Sequence, residues 1–159
     1  MTGERWSPAA VLWDLDGTLI DSQPYWHAAE YILAARYGGT WDDEHSLALT
    51  GADLLDAGRY IQRHMQIDVE PETIVEELVC LVAERLEDAV PWRPGARELL
   101  LELVDAGTPC GLVTMSYRAL VEPVLASLPD GVFSAVITGD EVSHGKPHPA
   151  PYLVAAAKL

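Results

Sequence analysis

The feature that most constrains this chain is a change of hydrophobic period. Ala9 to Trp13 (AAVLW) is an uninterrupted apolar run that stops at Asp14-Leu15-Asp16-Gly17. So short a run suits a strand buried on both faces, and Gly17 permits a tight exit from it. From Gln23 to about Val90 the period becomes helical. Tyr25, Ala28, Ala29, Ile32 and Leu33 recur on one face, then Leu54, Leu55, Ile61 and Met65, then Ile74, Val75, Leu78, Leu81, Val82 and Leu86. This spacing predicts three or more amphipathic helices with no strand between them, broken at Gly38-Gly39 and near Pro71. Beyond Pro91-Trp92-Arg93-Pro94-Gly95 the two periods alternate. Helix over Ala96 to Asp105, strand over Pro109 to Thr114, helix over Tyr117 to Ser127, strand over Val132 to Thr138 and helix over Pro149 to Leu159 are predicted. Alternation of this kind predicts an α/β fold with a parallel sheet and right-handed crossovers. Residues 1–22 and 91–159 then form the α/β core, and residues 23–90 form a helical insertion within it.

Charge narrows the partners. The 159 residues carry 25 acidic and 10 basic side chains, a formal charge of -15. Such a field repels polyphosphate backbones and anionic lipid, so nucleic acid and membrane are excluded as expected partners. It also repels a phosphorylated small molecule, so a phosphate site here must be assembled from local positive ends: a lysine, a metal or backbone N–H groups. Cys80 and Cys110 have no C-x-x-C spacing and no neighbouring His cluster, which argues against a disulfide framework or a zinc site and predicts two buried, reduced thiols. The apolar run near the N-terminus is interrupted by Asp14 and Asp16 and lacks a leader's flanks, and no apolar stretch approaches eighteen residues, so a cytoplasmic protein is expected.

In open α/β sheets the ligand crevice lies beyond the carboxyl ends of the strands. Three predicted strand ends carry chemistry. Asp14-Leu15-Asp16-Gly17-Thr18-Leu19 places two carboxylates two residues apart, on one side of the exit. Thr114-Met115-Ser116 places a hydroxyl before a helix N-terminus, whose free N–H groups favour an anion. Gly145-Lys146-Pro147 places a lysine in the loop before the last helix.

Together these segments resemble the first three motifs of the haloacid dehalogenase superfamily, in the family's order and over nearly the whole chain. The resemblance implies a three-layer, Rossmann-like core and an aspartate-nucleophile phosphatase. Asp14 would attack phosphorus to give an aspartyl phosphate, and Asp16 would protonate the leaving oxygen and then take a proton from water, a role worth about 10²–10⁴-fold. Gly17, Thr18, Thr114, Met115, Ser116 and Lys146 would contact the phosphate, with Lys146 offsetting charge on Asp14. Mg²⁺ would be held by the Asp14 carboxylate and the Asp16 carbonyl. An acid at Asp16 points to phosphatases and phosphomutases within the superfamily rather than dehalogenases or transport ATPases.

Other residues are read more plainly. Asp140 follows a strand but is taken as turn chemistry outside the metal shell. His27, Tyr25, Trp26 and Trp41 lie early in the insert, where substrate contact and core packing stay equally open. His144 and His148 are expected at the surface.

The helical insert resembles the small cap of the phosphoglycolate phosphatase and β-phosphoglucomutase branch, which implies a small phosphorylated metabolite, a sugar phosphate or phosphoglycolate-like ester, as substrate. Thr50-Gly51-Ala52-Asp53 stands where that branch places a specificity loop. No arginine follows Gly51 closely, which favours hydrolysis over a β-phosphoglucomutase-like transfer between sugar carbons. The family's fourth motif, acidic residues after a further strand, is expected beyond Lys146, and Leu159 comes thirteen residues later. As written the chain is therefore expected to lack the C-terminal part of the core, to bind Mg²⁺ poorly and to turn over slowly. A catalytically silent remnant that binds a phosphometabolite or another protein is the alternative.

Overall fold

The computed structural model describes residues 8–159; residues 1–7 of the first predicted core segment lie outside them. Three parallel strands, β1 (Val11–Trp13), β2 (Cys110–Val113) and β3 (Ala135–Ile137), form one sheet in that order. Trp13 pairs with Leu112 and Val113 with Ile137, so the strands end within about a residue of level. Asp14, Thr114 and Thr138 consequently leave the sheet at one edge, which is where the site is built.

Side chains alternate across this sheet as strand geometry requires. Val11, Trp13, Cys110, Leu112 and Val136 join the main core, which includes Leu100 of α5 (Ala96–Asp105) and Leu120, Val121 and Val124 of α6 (Arg118–Ala126). Leu12, Val113 and Ile137 pack instead with Ala155 of α7 (Ala150–Lys158). The result is a three-layer α/β architecture. All of β2 is buried, whereas β1 is only half-buried along its length. The prediction of a first strand buried on both faces thus needs correcting: among the described residues β1 pairs on one side only, with β2, and an edge strand keeps part of its surface in solvent. The strands are also shorter than the apolar runs, losing residues chiefly at their N-terminal ends and, at the other end, Thr114 and Thr138.

Between β1 and α5 the chain is helical: α1 (Gln23–Tyr37), α2 (Asp43–Ala48), α3 (Leu54–Met65) and α4 (Pro71–Asp88). Local chemistry sets the ends. Gly38, at φ 72°, takes the left-handed conformation that closes α1. The Asp42 side chain accepts from the His45 N–H, and Asp53 accepts from the N–H groups of Leu55 and Asp56, so two of the four helices begin on an aspartate cap. Pro71 opens α4 where its missing N–H costs nothing.

Helix α4 buries Ile74, Val75, Leu78, Val79, Val82 and Leu86 along one stripe, and each fully buried side chain of this kind contributes about 1.5–3 kcal/mol. It packs on α1, α3 and α6, so the helical segment and the sheet share one apolar core. Close approach to α3 depends on Gly58, where a Cβ would lie 2.6 Å from the Pro71 carbonyl oxygen. Both cysteines are free, but only Cys110 is buried; Cys80 is exposed on α4, with its Sγ 3.7 Å from Glu84 Oε1, because it falls off the buried stripe. No helix among the described residues is long and apolar enough to cross a membrane.

Candidate active site

The turn after β1 is wound tightly on itself. Gly17, at φ 76°, donates its N–H to the Ile20 carbonyl, and the N–H groups of Thr18, Leu19 and Ile20 converge on the Leu15 carbonyl. Leu15, Leu19 and Ile20 are buried beneath this turn, which leaves Asp14 and Asp16 directed away from the core. Lys146, from the loop before α7, meets the first carboxylate: its Nζ lies 2.7 Å from Asp14 Oδ1 and also donates to the Val113 carbonyl oxygen at 2.7 Å. An ammonium has three donors, so one remains for a further anion.

Asp16 is held differently. Ser22 Oγ donates to its Oδ1 and Ser116 Oγ to its Oδ2, so both carboxylate oxygens are tied to hydroxyls from opposite sides. Thr114 is buried, and its Oγ1 accepts the Ser116 N–H at 3.0 Å, which leaves the hydroxyl hydrogen to point elsewhere. Met115 braces Lys146, because its Sδ accepts the Lys146 N–H at 3.1 Å. Behind it, a Cβ at Gly139 would sit 2.1 Å from the Met115 carbonyl oxygen, so only glycine lets β3 and the Met115 segment approach this closely.

These groups form one wall of a cavity of about 340 Å³. Asp14, Asp16, Thr114, Met115, Ser116 and Lys146 line it from the strand ends. The opposite wall comes from the helical segment: Ser22, Gln23, Trp26 and Glu30 of the α1 region, the loop from Leu49 to Asp53, Leu54 and Ala57 of α3, and Leu78 of α4. Tyr117, at the head of α6, has its phenol pushed above the ordinary tyrosine range by burial and then by the negative charges of Asp53 and Asp140.

Six of the eight residues singled out from sequence therefore meet at the cavity, and so does the stretch Thr50 to Asp53. Gly17 and Thr18 do not line it. Their N–H groups are spent inside the turn, and their contribution is to shape the exit that presents the two aspartates. Of the aromatic and imidazole groups left open between substrate and core, Trp26 lines the cavity, while Tyr25 donates to the Ala89 carbonyl oxygen and His27 pairs with Gln23. Trp41 acts at one remove, donating through Nε1 to Glu30. Asp140 accepts the Arg118 N–H at 3.0 Å and so caps α6, while His144 and His148 form an exposed ring pair.

Ser22 and Glu30 are among the cavity residues that escaped the sequence reading. A serine in a turn carries no signal of its own. Glu30 did carry one: it lies on the stripe of α1 that buries Ala29, Leu33 and Ala34, where an acid is out of place.

A family model described as haloacid dehalogenase-like hydrolase matches residues 11–159. The chain belongs to the haloacid dehalogenase-like hydrolase family. Among curated relatives of this family, the chain is 32% identical over 154 residues to the bifunctional riboflavin kinase/FMN phosphatase of Arabidopsis thaliana, covering 95% of this chain and 40% of that protein. It is 30% identical to hexitol phosphatase B of Escherichia coli K12, covering 94% of this chain and 69% of the relative. The solved structure of CbbY from Rhodobacter sphaeroides in complex with phosphate superimposes with a TM-score of 0.80 at 25% identity, covering 94% of this chain and 72% of that one. The phosphoglycolate phosphatase of Yersinia pestis is also similar, at 31% identity, and a β-phosphoglucomutase structure from Clostridium difficile shares the fold at 21% identity with a TM-score of 0.75.

Proposed function

We propose that this chain is a phosphohydrolase that cleaves a small phosphate monoester, a sugar phosphate or phosphoglycolate-like ester, through an aspartyl-phosphate intermediate on Asp14. The observation that carries the reading is the pairing of Asp14 with Lys146 at 2.7 Å on the wall of a cavity that also holds Asp16 and Thr114. A carboxylate and a phosphate repel each other, so a cation beside the carboxylate eases the approach. Lys146 touches the nucleophile and keeps a donor for a phosphoryl oxygen, so it draws the two together. The Thr114 hydroxyl hydrogen supplies a second contact. The Met115 N–H, which has no protein partner among the described residues, supplies a third.

Asp16 is suited to the proton. The hydroxyls of Ser22 and Ser116 hold its carboxyl group at the cavity wall; from there it would protonate the departing alcohol and then take a proton from the water that attacks the phosphoenzyme. The helical wall limits the alcohol to something that fits about 340 Å³.

The donor set fits Mg²⁺. Asp14 Oδ2 has no protein hydrogen-bond partner among the described residues, and Mg²⁺ is usually held by one or two oxygen donors together with waters and the substrate phosphate. No group of three or more His, Cys, Asp or Glu side chains able to hold a metal occurs among the described residues, so the ion would be held by few protein ligands, Asp14 and the Asp16 carbonyl, and weak binding is expected. When bound, the ion would offset negative charge between nucleophile and phosphate. Hydrolysis is favoured over a β-phosphoglucomutase-like transfer, because no cation from the helical wall lines the cavity to grip a second phosphate. The test is a screen of small phosphate esters, including p-nitrophenyl phosphate, with Mg²⁺ and with chelator. Hydrolysis that needs Mg²⁺ and is abolished in Asp14→Asn supports the reading; hydrolysis that survives Asp14→Asn overturns it.

A further inference from the structure

Glu30 is buried, 3% exposed, yet it lines the cavity. Its Oε2 accepts from Trp41 Nε1 at 3.0 Å and from Ser46 Oγ, while Oε1 has no protein partner among the described residues. Oε1 is not fully enclosed: it opens to the cavity, where water or a ligand hydroxyl donates to it. No lysine, arginine or histidine of α1–α4 lines that space. Lys146, the one cation among the lining residues, stands on the opposite wall and is engaged by Asp14. Asp53 adds a second carboxyl group to the helical side.

From this geometry we propose that Glu30 determines specificity: it selects a phosphate ester whose alcohol half is an uncharged polyol, and it rejects an ester that carries a second anion. The proposal rests on the phosphohydrolase reading and adds the chemistry of the leaving alcohol to it. With phosphate at Lys146, the alcohol half extends toward the helical wall. A polyol donates one of its hydroxyls to Glu30 Oε1 and lays its C–H face on Trp26. A carboxylate or second phosphate in the same place meets the buried carboxyl group of Glu30 and the exposed one of Asp53, with no cation of the helical wall lining the cavity to offset them.

Asp14→Asn protein, which keeps esters intact, tests this by calorimetric titration with sorbitol phosphate, phosphoglycolate and inorganic phosphate. Sorbitol phosphate is expected to bind at least ~10-fold more tightly than phosphoglycolate, and adding Glu30→Gln is expected to narrow that ratio by ~10-fold or more, the scale of one charged hydrogen bond. Thr50→Arg, at an exposed lining position, keeps the test open should the buried substitution fail to fold; it is expected to strengthen phosphoglycolate binding alone. The proposal is overturned if phosphoglycolate binds as tightly as sorbitol phosphate, if neither ester binds better than inorganic phosphate, or if the ratio ignores both substitutions. Hydrolysis of p-nitrophenyl phosphate by the unsubstituted protein, whose leaving group offers no polyol, reports separately on the phosphohydrolase reading.

Discussion

The strand-end wall of the cavity and the helical wall facing it hold their side chains in different ways. On the strand-end wall the longest ties span the chain: Lys146 reaches Asp14 across 132 positions and Ser116 reaches Asp16 across 100, beside the local tie of Ser22 to Asp16 across 6. On the helical wall they stay close in sequence, as in Trp41 to Glu30 across 11 positions, Ser46 to Glu30 across 16, and Asp53 capping its own helix. A wall assembled by long-range ties exists only when the whole α/β core is folded, and its groups are mutually dependent. A wall of local ties can change one group at a time without unmaking the rest. On the proposed function, the difference separates a fixed reaction centre from an adjustable surface that would read the alcohol.

Substitutions can break or sharpen that contrast. Lys146→Met should cost the most, because it leaves Asp14 to face a phosphate with no adjacent cation; a loss of about 10²–10³-fold in kcat/KM is expected, with little change in Tm. Gly139→Ala should couple stability to activity. Its Cβ has no room beside the Met115 carbonyl oxygen, so a urea midpoint shift equivalent to about 2–4 kcal/mol is expected, together with a lowered kcat as Met115 releases Lys146. Trp26→Ala, on the helical wall, should raise KM for a polyol phosphate by roughly 10-fold and leave kcat for p-nitrophenyl phosphate nearly unchanged. A fall in kcat as large as that of Lys146→Met would erase the distinction between the walls. Asp140→Ala should have the smallest effect, about 1 kcal/mol from the lost cap of α6, with Mg²⁺ dependence of activity unaltered.

The strand-end wall was readable from the sequence because its chemistry needs particular residue types where strands stop. An acidic pair after AAVLW, a threonine after GLV and a lysine before a proline each stand at a boundary that hydrophobic period already marks. The helical wall was readable in its helices but not in its contacts. Whether Trp26, and not Tyr25, faces the cavity depends on the rotation of α1 against α4, which the period of an amphipathic stripe defines only to within a residue or two, and Trp41 lies beyond the end of α1. Ser22 was illegible because its partner, Asp16, is already surrounded by turn geometry that explains a serine equally well. Cys80 was placed inside by composition and found outside, because a cysteine in a helix is buried by its position on the stripe, not by its type.

The covalent step on Asp14 is the centre of the account, and acid quenching during turnover of a radiolabelled phosphate ester tests it most directly. The label should be recovered on the peptide that contains Asp14, should be released by hydroxylamine as an acyl phosphate is, and should be missing from Asp14→Asn protein. Turnover that proceeds with no label on that peptide, or with the label on another side chain, would contradict it.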